Sequence, residues 1–140
     1  MTEFTPDSLP ARLALLVARL NRRLIPASGG LSHGLLMSLA SVAKRGPLRL
    51  AELAALEEMS APGATRVVAE LENRGLVTRG VDPADGRAVL ITATTTGMDA
   101  ILRARAARAE VMAQLLEGLS SSELKRVEAA LPALERAIEI

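Results

Sequence analysis

One stretch of the chain matches a catalytic motif literally. Gly30-Leu31-Ser32-His33-Gly34 has the G-x-S-x-G spacing of a hydrolase nucleophile elbow. An elbow needs a buried strand before its serine and a histidine later in the chain as the base. Here a helix ended by proline and a glycine-rich loop precede the motif, and His33 is the only histidine of the chain. We therefore interpret Ser32 as a helix cap and predict no catalytic residue and no enzyme.

The cysteine, histidine and aromatic content excludes further chemistry. The chain has no cysteine and one histidine, which excludes disulfides, thiolate catalysis, zinc ribbons and multi-histidine metal sites. Aromatic residues make up 1% of the sequence, so the stacking platforms that grip single strands or flipped bases are missing. We predict no metal and no cofactor.

A group of small and polar residues is spaced for contact with a double helix. They lie on a predicted helix that Ser60 caps and that runs to about Arg74, with its apolar residues on the opposite side. Small residues let such a helix enter a major groove about 12 Å wide, and Thr65 and Arg66 can donate to base edges or phosphates. The alternative is an ordinary surface helix. The candidate contacts are Ser60, Ala61, Pro62, Thr65 and Arg66.

A predicted β-hairpin follows this helix, with turn residues at 82–86. Its tip places Arg87 at the end of a thin projection, where a guanidinium suits the negative potential of a narrow minor groove. Asp85 either pairs with Arg87 across the turn or orients it for such a contact, and both can hold. Arg79, on the first strand, is a further candidate contact.

These residues need a scaffold, and 140 residues suit one domain. Apolar periodicity and helix caps predict two helices, a short helix, the Ser60 helix, a two-stranded hairpin and two further helices. The predicted bounds are 8–25, 32–45, 52–57 and 60–74 for the first four helices, 76–79 and 88–92 for the strands, and 95–117 for the next helix, with a capping box at 120–123 opening the last. A short extended stretch is expected at 48–50, before the short helix. The predicted fold class is mainly α with a small β-hairpin, a winged helix-turn-helix.

The charge balance bears on the nucleic-acid interpretation. The net charge is +1, and residues 31–94 carry seven basic and seven acidic side chains. A DNA-binding face therefore requires sidedness, with Arg66, Arg79 and Arg87 on one face. The acidic side chains that must then turn elsewhere are Glu57, Glu58, Glu70 and Glu72. The alternative that this neutrality supports is a winged helix used for protein–protein interaction without DNA binding.

Hydropathy gives an expectation about location. The longest unbroken apolar run, near residues 13–18, is far short of the about 20 residues that a membrane span needs. No charged-then-apolar leader is seen, so we expect a cytoplasmic protein with no membrane partner. The apolar content of 49% indicates in addition a surface buried against a partner.

Together, these segments resemble the MarR-type transcriptional regulators, the multiple-antibiotic-resistance repressor family. The matching stretches are ELA at 52–54, SAPGATRVV at 60–68, LENRGLV at 71–77, DPADGRAVL at 82–90 and TTTG at 94–97. Ala93 stands where the family pattern has leucine before its Thr-x-x-Gly element. The resemblance covers essentially the whole chain, and the wing Asp-x-Arg combined with the preceding helix is its specific part.

The resemblance implies a two-fold dimer that acts as a repressor. It implies that the Ser60 helix enters the major groove, that Arg87 reaches the minor groove and that Asp85 orients Arg87. Two such modules would read a pseudo-palindrome with half-sites roughly 34 Å apart, about one helical turn. The implied organisation is one MarR-type domain over 1–140, with a winged-helix part at 31–94 and helical dimerisation parts at 1–30 and 95–140.

The resemblance also implies control by a small-molecule effector. In this family the ligand is often phenolic or anionic and lies between the dimer helices and the DNA-binding part. The absence of cysteine excludes the family's thiol-oxidation branch, and the single histidine argues against its zinc sensors. The adjacency of the predicted helices places the candidate pocket wall at Arg19, Arg22, His33 and Met37.

Overall fold

A computed structural model describes residues 5–139, which form six α-helices and a three-stranded antiparallel sheet. The helices are α1 (Leu9–Leu24), α2 (His33–Arg45), α3 (Leu50–Leu56), α4 (Ala61–Asn73), α5 (Thr95–Leu116) and α6 (Ser121–Ile138). The strands are β1 (Leu48–Arg49), β2 (Val77–Asp82) and β3 (Asp85–Ala93). The predicted class, a mainly helical chain with a winged helix-turn-helix, is confirmed.

Five of the described helices begin at a hydroxyl side chain that caps them. Ser32 accepts the N–H of Leu35 at 3.2 Å, and Ser60 accepts the N–H of Gly63 at 3.1 Å. Each bond satisfies an amide that has no partner inside its helix. The same bond begins α1, α5 and α6, at Ser8, Thr94 and Ser120. The predicted starts of these five helices are confirmed, and Ser32 is a cap rather than the serine of an elbow. The short helix α3, expected at 52–57, begins two residues earlier, at Leu50.

The sheet is larger than the sequence predicts. β2 and β3 extend beyond the predicted strands at 76–79 and 88–92, and only Pro83 and Ala84 separate them. β1 adds a third strand against β3, which gives the order β1-β3-β2. The prediction of a two-stranded hairpin was wrong on this point. The extended stretch expected at 48–50 is present as β1, but its pairing with β3 has no local signal, because the tertiary fold decides its hydrogen bonds.

Most of the hydrophobic core lies in the winged-helix part of the chain, and α5 adds Ile101 and Ala104. Leu39 on α2, Leu53 on α3 and Leu71 on α4 are fully buried, and Ile91 joins them from β3. In contrast, α1 and α6 contain no buried residue. The packed core therefore holds the helices that carry the candidate contacts. No helix in the described part of the chain is long and apolar enough to cross a membrane.

A tight junction fixes the winged helix to α5. Gly75 follows α4 in the left-handed conformation (φ 72°), as predicted for a helix stop. The hydroxyl of Thr94 donates to the carbonyl of Gly75 at 2.7 Å and accepts the N–H of Gly97 at 3.0 Å. A Cβ at Gly97 would overlap the carbonyl oxygen of Leu76, so glycine is what lets the first turn of α5 pack this closely.

Candidate nucleic-acid interface

The helix α4 exposes the face that the sequence predicts. It packs against α2 and α3. The side chains that α4 buries are Ala64, Val68 and Leu71. The exposed residues at its N-terminal end and in its second turn are Ser60, Ala61, Pro62, Thr65 and Arg66. The sidedness of this helix is therefore confirmed, while the contacts of the exposed residues stay a prediction.

Thr65 and Arg66 present different hydrogen-bonding groups on this face. The Thr65 hydroxyl donates to the carbonyl of Ala61 at 2.9 Å, so its oxygen can still accept from an outside donor. Arg66 takes part in none of the three ion pairs found within residues 5–139. Its guanidinium therefore keeps its donors for an external acceptor, close to the partial positive charge of the helix start.

The hairpin formed by β2 and β3 is the wing of the winged helix. At its tip, the Asp85 side chain accepts a hydrogen bond from the backbone rather than pairing with the arginine side chain. Its Oδ1 accepts the N–H of Arg87 at 3.0 Å. Among the residues that the structure describes, the Arg87 guanidinium forms no ion pair, and the side chain is exposed. An ion pair of Asp85 with Arg87 across the turn, one of the two alternatives above, is therefore not observed. Asp85 shapes the backbone from which Arg87 projects.

Asp82 ties the wing to the first strand. Its carboxylate accepts from Arg49 Nη2 at 2.7 Å and from the N–H of Ala84 at 2.9 Å. The bond from Arg49, and next the bond from Ala84, hold the pKa of Asp82 below its usual value, and the Asp82 carboxylate raises the pKa of Arg49. Sequence reasoning missed this pair. Its members are 33 residues apart, so no helical or hairpin spacing reveals it.

Arg79 lies beside an acidic residue. Its Nε is 3.1 Å from Oε2 of Glu72, and the two side chains are 38% and 45% exposed. The expectation that Glu72 turns away from Arg79 was wrong, because the short connection from α4 into β2 brings the two side chains together. Arg79 stays accessible, but its charge is partly neutralised.

The pairing of acidic groups explains how a neutral module can present positive charge. Three of its seven acidic side chains neutralise arginines, in the pairs Asp82–Arg49, Glu70–Arg74 and Glu72–Arg79. Glu57 accepts a hydrogen bond from Ser41, and Glu52 accepts the backbone N–H of Arg49. The basic side chains of 31–94 outside these ion pairs are Lys44, Arg45, Arg66 and Arg87. Two of the four lie on α4 and the wing.

The four residues expected to line an effector pocket do not meet in the described chain. Met37 lines a cavity between α2 and α5, whereas Arg19 lines a separate groove along α1. Arg22 and His33 line neither of them, and His33 is exposed in the first turn of α2. The prediction assumed that α1 packs beside α2, its neighbour in sequence, whereas α1 makes its main contacts with α5.

The cavity between α2 and α5 has the size of a small-molecule site. Its volume is about 560 Å³. Lys44 and Arg105 contribute positive charge to its wall, and Glu57, hydrogen-bonded to Ser41, contributes negative charge. The apolar part of the wall includes Met37, Met98 and Leu102. The cavity can therefore hold a partly apolar molecule of net negative charge.

The fold and the exposed groups together define a class of protein. A short helix, a turn and a serine-capped helix are followed by a hairpin with an arginine at its tip. This arrangement is a winged helix-turn-helix, here fused to long helices at both ends of the chain.

The chain belongs to the MarR family. The model of that family matches residues 31–89. An HTH-type transcriptional regulator of Mycobacterium bovis is 37% identical over 117 residues, which cover 82% of each chain. The solved structure of a transcriptional regulator from Pseudomonas aeruginosa is 28% identical, with a TM-score of 0.83 over 94% of each chain. A MepR mutant from Staphylococcus aureus, solved bound to an oligodeoxyribonucleotide, shares the fold at 18% identity, with a TM-score of 0.72 over 97% of this chain and 99% of that one.

Proposed function

We propose that this protein binds double-stranded DNA in a sequence-specific manner as a homodimer and represses transcription. The observation that carries the proposal is a pair of exposed arginines, Arg66 on α4 and Arg87 on the wing, that no acidic group in residues 5–139 neutralises. Membership of the MarR family supports a role in transcription. The oligodeoxyribonucleotide bound to MepR supports DNA as the partner.

The two elements suit the two grooves of a duplex. The start of α4 carries only small side chains, so its backbone can approach the floor of the major groove, where Arg66 reaches bases or phosphates. Thr65 accepts from base amino groups. Arg87, on a hairpin tip of small residues, enters the minor groove. Arg79, already paired with Glu72, is left for phosphate contact at the edge of the site.

The terminal helices support a homodimer. Soluble monomers rarely expose large contiguous apolar patches, and a second copy of the same face would cover such a patch with two-fold symmetry. The exposed apolar side chains of α6 are Leu124, Val127, Leu131, Leu134 and Ile138, and those of α1 include Leu9, Leu15, Leu16 and Val17. The two-fold axis would set two winged helices roughly 34 Å apart, so the operator we expect is a pseudo-palindrome.

The cavity between α2 and α5 is our proposed effector site. Of the four residues that the sequence predicts for such a site, Met37 lies there. Lys44 and Arg105 against Glu57 leave one net positive charge, so the favoured ligand is an anion with an apolar body. α2 belongs to the winged-helix part and α5 to the dimerisation part. A ligand wedged between them would shift the two α4 helices and release DNA.

Selection of bound sequences from random duplex DNA tests the proposal. We expect pseudo-palindromes whose half-sites are roughly 10 base pairs apart. Arg87→Ala should weaken binding to every sequence by about 1–3 kcal/mol. Arg66→Ala should weaken binding by a similar amount and should also reduce the discrimination between sequences. Arg45→Ala is the matched control, since Arg45 is an exposed arginine of the same module outside α4 and the wing.

If no duplex is retained at low salt, DNA binding is contradicted and the alternative, a winged helix that binds another protein, is favoured. If both variants bind as tightly as the wild type, the assignment of Arg66 and Arg87 as DNA contacts is contradicted. Benzoate, a simple apolar anion, is expected to weaken DNA binding in the same assay. Unchanged binding would remove the effector part of the proposal and leave the DNA part standing.

A further inference from the structure

We infer that the Arg49–Asp82 ion pair positions the wing relative to the helix-turn-helix, so that Arg87 and α4 meet one duplex together. The inference rests on the proposed function. Arg49 is the N-cap residue of α3, the first helix of the helix-turn-helix, while Asp82 is the last residue of β2. The pair therefore joins the start of the helix-turn-helix to the tip of the hairpin that carries Arg87.

Asp82 has the geometry of an anchor. Its side chain is 10% exposed, whereas that of Arg49 is 44% exposed, so the carboxylate lies beneath the guanidinium. Oδ2 accepts from Arg49, and Oδ1 accepts the N–H of Ala84 in the two-residue loop. The register of the β2–β3 pairing shifts between Val81 and Asp82. Such a bulge re-aims a strand, and here it comes where Asp82 turns toward Arg49.

Apolar packing does not hold the tip in place. Val81 and Val89, paired across the hairpin, are 68% and 46% exposed. Pro83, Ala84 and Gly86 are exposed as well. Within residues 5–139, the Arg49–Asp82 bond is the one side-chain hydrogen bond that joins residues 82–87 to the rest of the chain. Without it, the hairpin tip would be held by the β2–β3 ladder alone.

A fixed tip matters because Arg87 must reach DNA while α4 occupies its own groove. Ordering a mobile segment at the moment of binding lowers affinity, and an anchor made in advance removes that loss. Arg49 and Asp82 are thus positioning residues, which act through Arg87 without touching the DNA themselves.

A double-mutant cycle separates positioning from direct contact. Asp82→Asn and Arg49→Gln are each expected to weaken the selected DNA site about 5–10-fold, and the double variant no further than either single one. Arg87→Ala should lose less affinity in the Asp82→Asn background than in the wild type, because its contact is already impaired. Arg45→Gln, which removes an exposed arginine of the same module, is the control that leaves affinity unchanged.

Amide hydrogen exchange provides a readout that needs no DNA. In the free protein, the Ala84 and Arg87 amides should exchange faster in Arg49→Gln than in the wild type, while the core amide of Leu53 keeps its rate. Unchanged exchange at the tip would overturn the anchor, whatever the DNA result. If exchange is faster but the affinity losses of Asp82→Asn and Arg87→Ala simply add in the combined variant, the proposed effect of the ion pair on Arg87 is overturned. A wild type that binds no DNA would instead overturn the proposed function, and the exchange rates alone would then decide whether the anchor exists.

Discussion

The winged-helix part and the terminal helices differ in how far their apolar side chains are buried and their charged side chains are paired. In residues 31–94, leucines such as Leu39 and Leu53 are fully buried, and each of the three ion pairs of the described chain lies there. α1 and α6 bury none of their residues, although both carry apolar stripes. The same helical periodicity thus leads to a core in one region and to an uncovered face in the other.

This difference shows which helix faces are covered within a single chain. An apolar stripe predicts that a helix face will be covered, without saying by what. On α4, the rest of the same chain covers the stripe, which includes Ala64, Val68 and Leu71. On α6, nothing in residues 5–139 does. The winged-helix part therefore has its structure within one chain, and we expect the terminal helices to complete theirs with a second copy.

The largest expected effect is on the core. Leu39→Ala should lower the free energy of unfolding by about 2–5 kcal/mol, because it leaves a cavity where a fully buried side chain was. Leu16, 50% exposed on α1, is the comparison. Urea unfolding at several protein concentrations measures both. The Leu39→Ala loss should not depend on concentration, while the Leu16→Ala loss should come from the dimer. If both variants lose the same free energy of unfolding at every protein concentration, the proposed difference between the two regions is wrong.

A charge on α6 should break the proposed dimer. Leu131 is 46% exposed and lies in the apolar stripe, so Leu131→Glu should raise the dimer dissociation constant at least about 100-fold. At 3.6 residues per turn, Ala129 lies on the opposite side of α6, and Ala129→Glu is the matched control. Sedimentation velocity distinguishes the two variants. A wild type that is monomeric at micromolar concentration, or a Leu131→Glu variant that stays dimeric, would contradict this assignment.

Local signals made most of the fold predictable. Ser32, Ser60, Thr94 and Ser120 cap the helices that they were expected to begin, and Gly75 ends α4. Each of these signals acts over three or four residues, so the sequence alone displays it. The same holds for α4 in the candidate site, since a helix with a buried face must expose the other one.

Contacts between distant segments could not be predicted in the same way. Arg49 and Asp82 are 33 residues apart, and their pairing depends on β1 joining the sheet beside β3, which the sequence did not reveal. The Glu72–Arg79 pair depends on how β2 leaves α4. The wing residue Arg87 was recognisable from its place at a turn, whereas the bonds that hold the wing follow from tertiary packing.

The smallest expected effect concerns the pKa of one carboxylate in each region, Asp82 on the wing and Glu123 on α6. Hydrogen bonds lower the pKa of Asp82, mainly from Arg49, and the pKa of Glu123, mainly from the backbone N–H of Ser120. A carboxylate with a lowered pKa stabilises the fold above its unfolded pKa, about 4, and this contribution is lost as the pH falls through the folded value. Both contacts should therefore be intact at neutral pH and break only in acid.

Salt should separate these two carboxylates. Arg49 is a charged and partly exposed partner, so added salt weakens its attraction for Asp82 and should move the pKa of Asp82 back toward its usual value. The partner of Glu123 is a neutral amide in a capping box, and its pKa should move less. Carboxyl NMR titrations at 0.05 and about 0.5 M salt measure both shifts. Equal salt sensitivity would mean that the charge of Arg49 does not act on the wing, whereas a shift confined to Asp82 would place the electrostatic contact in the winged-helix part.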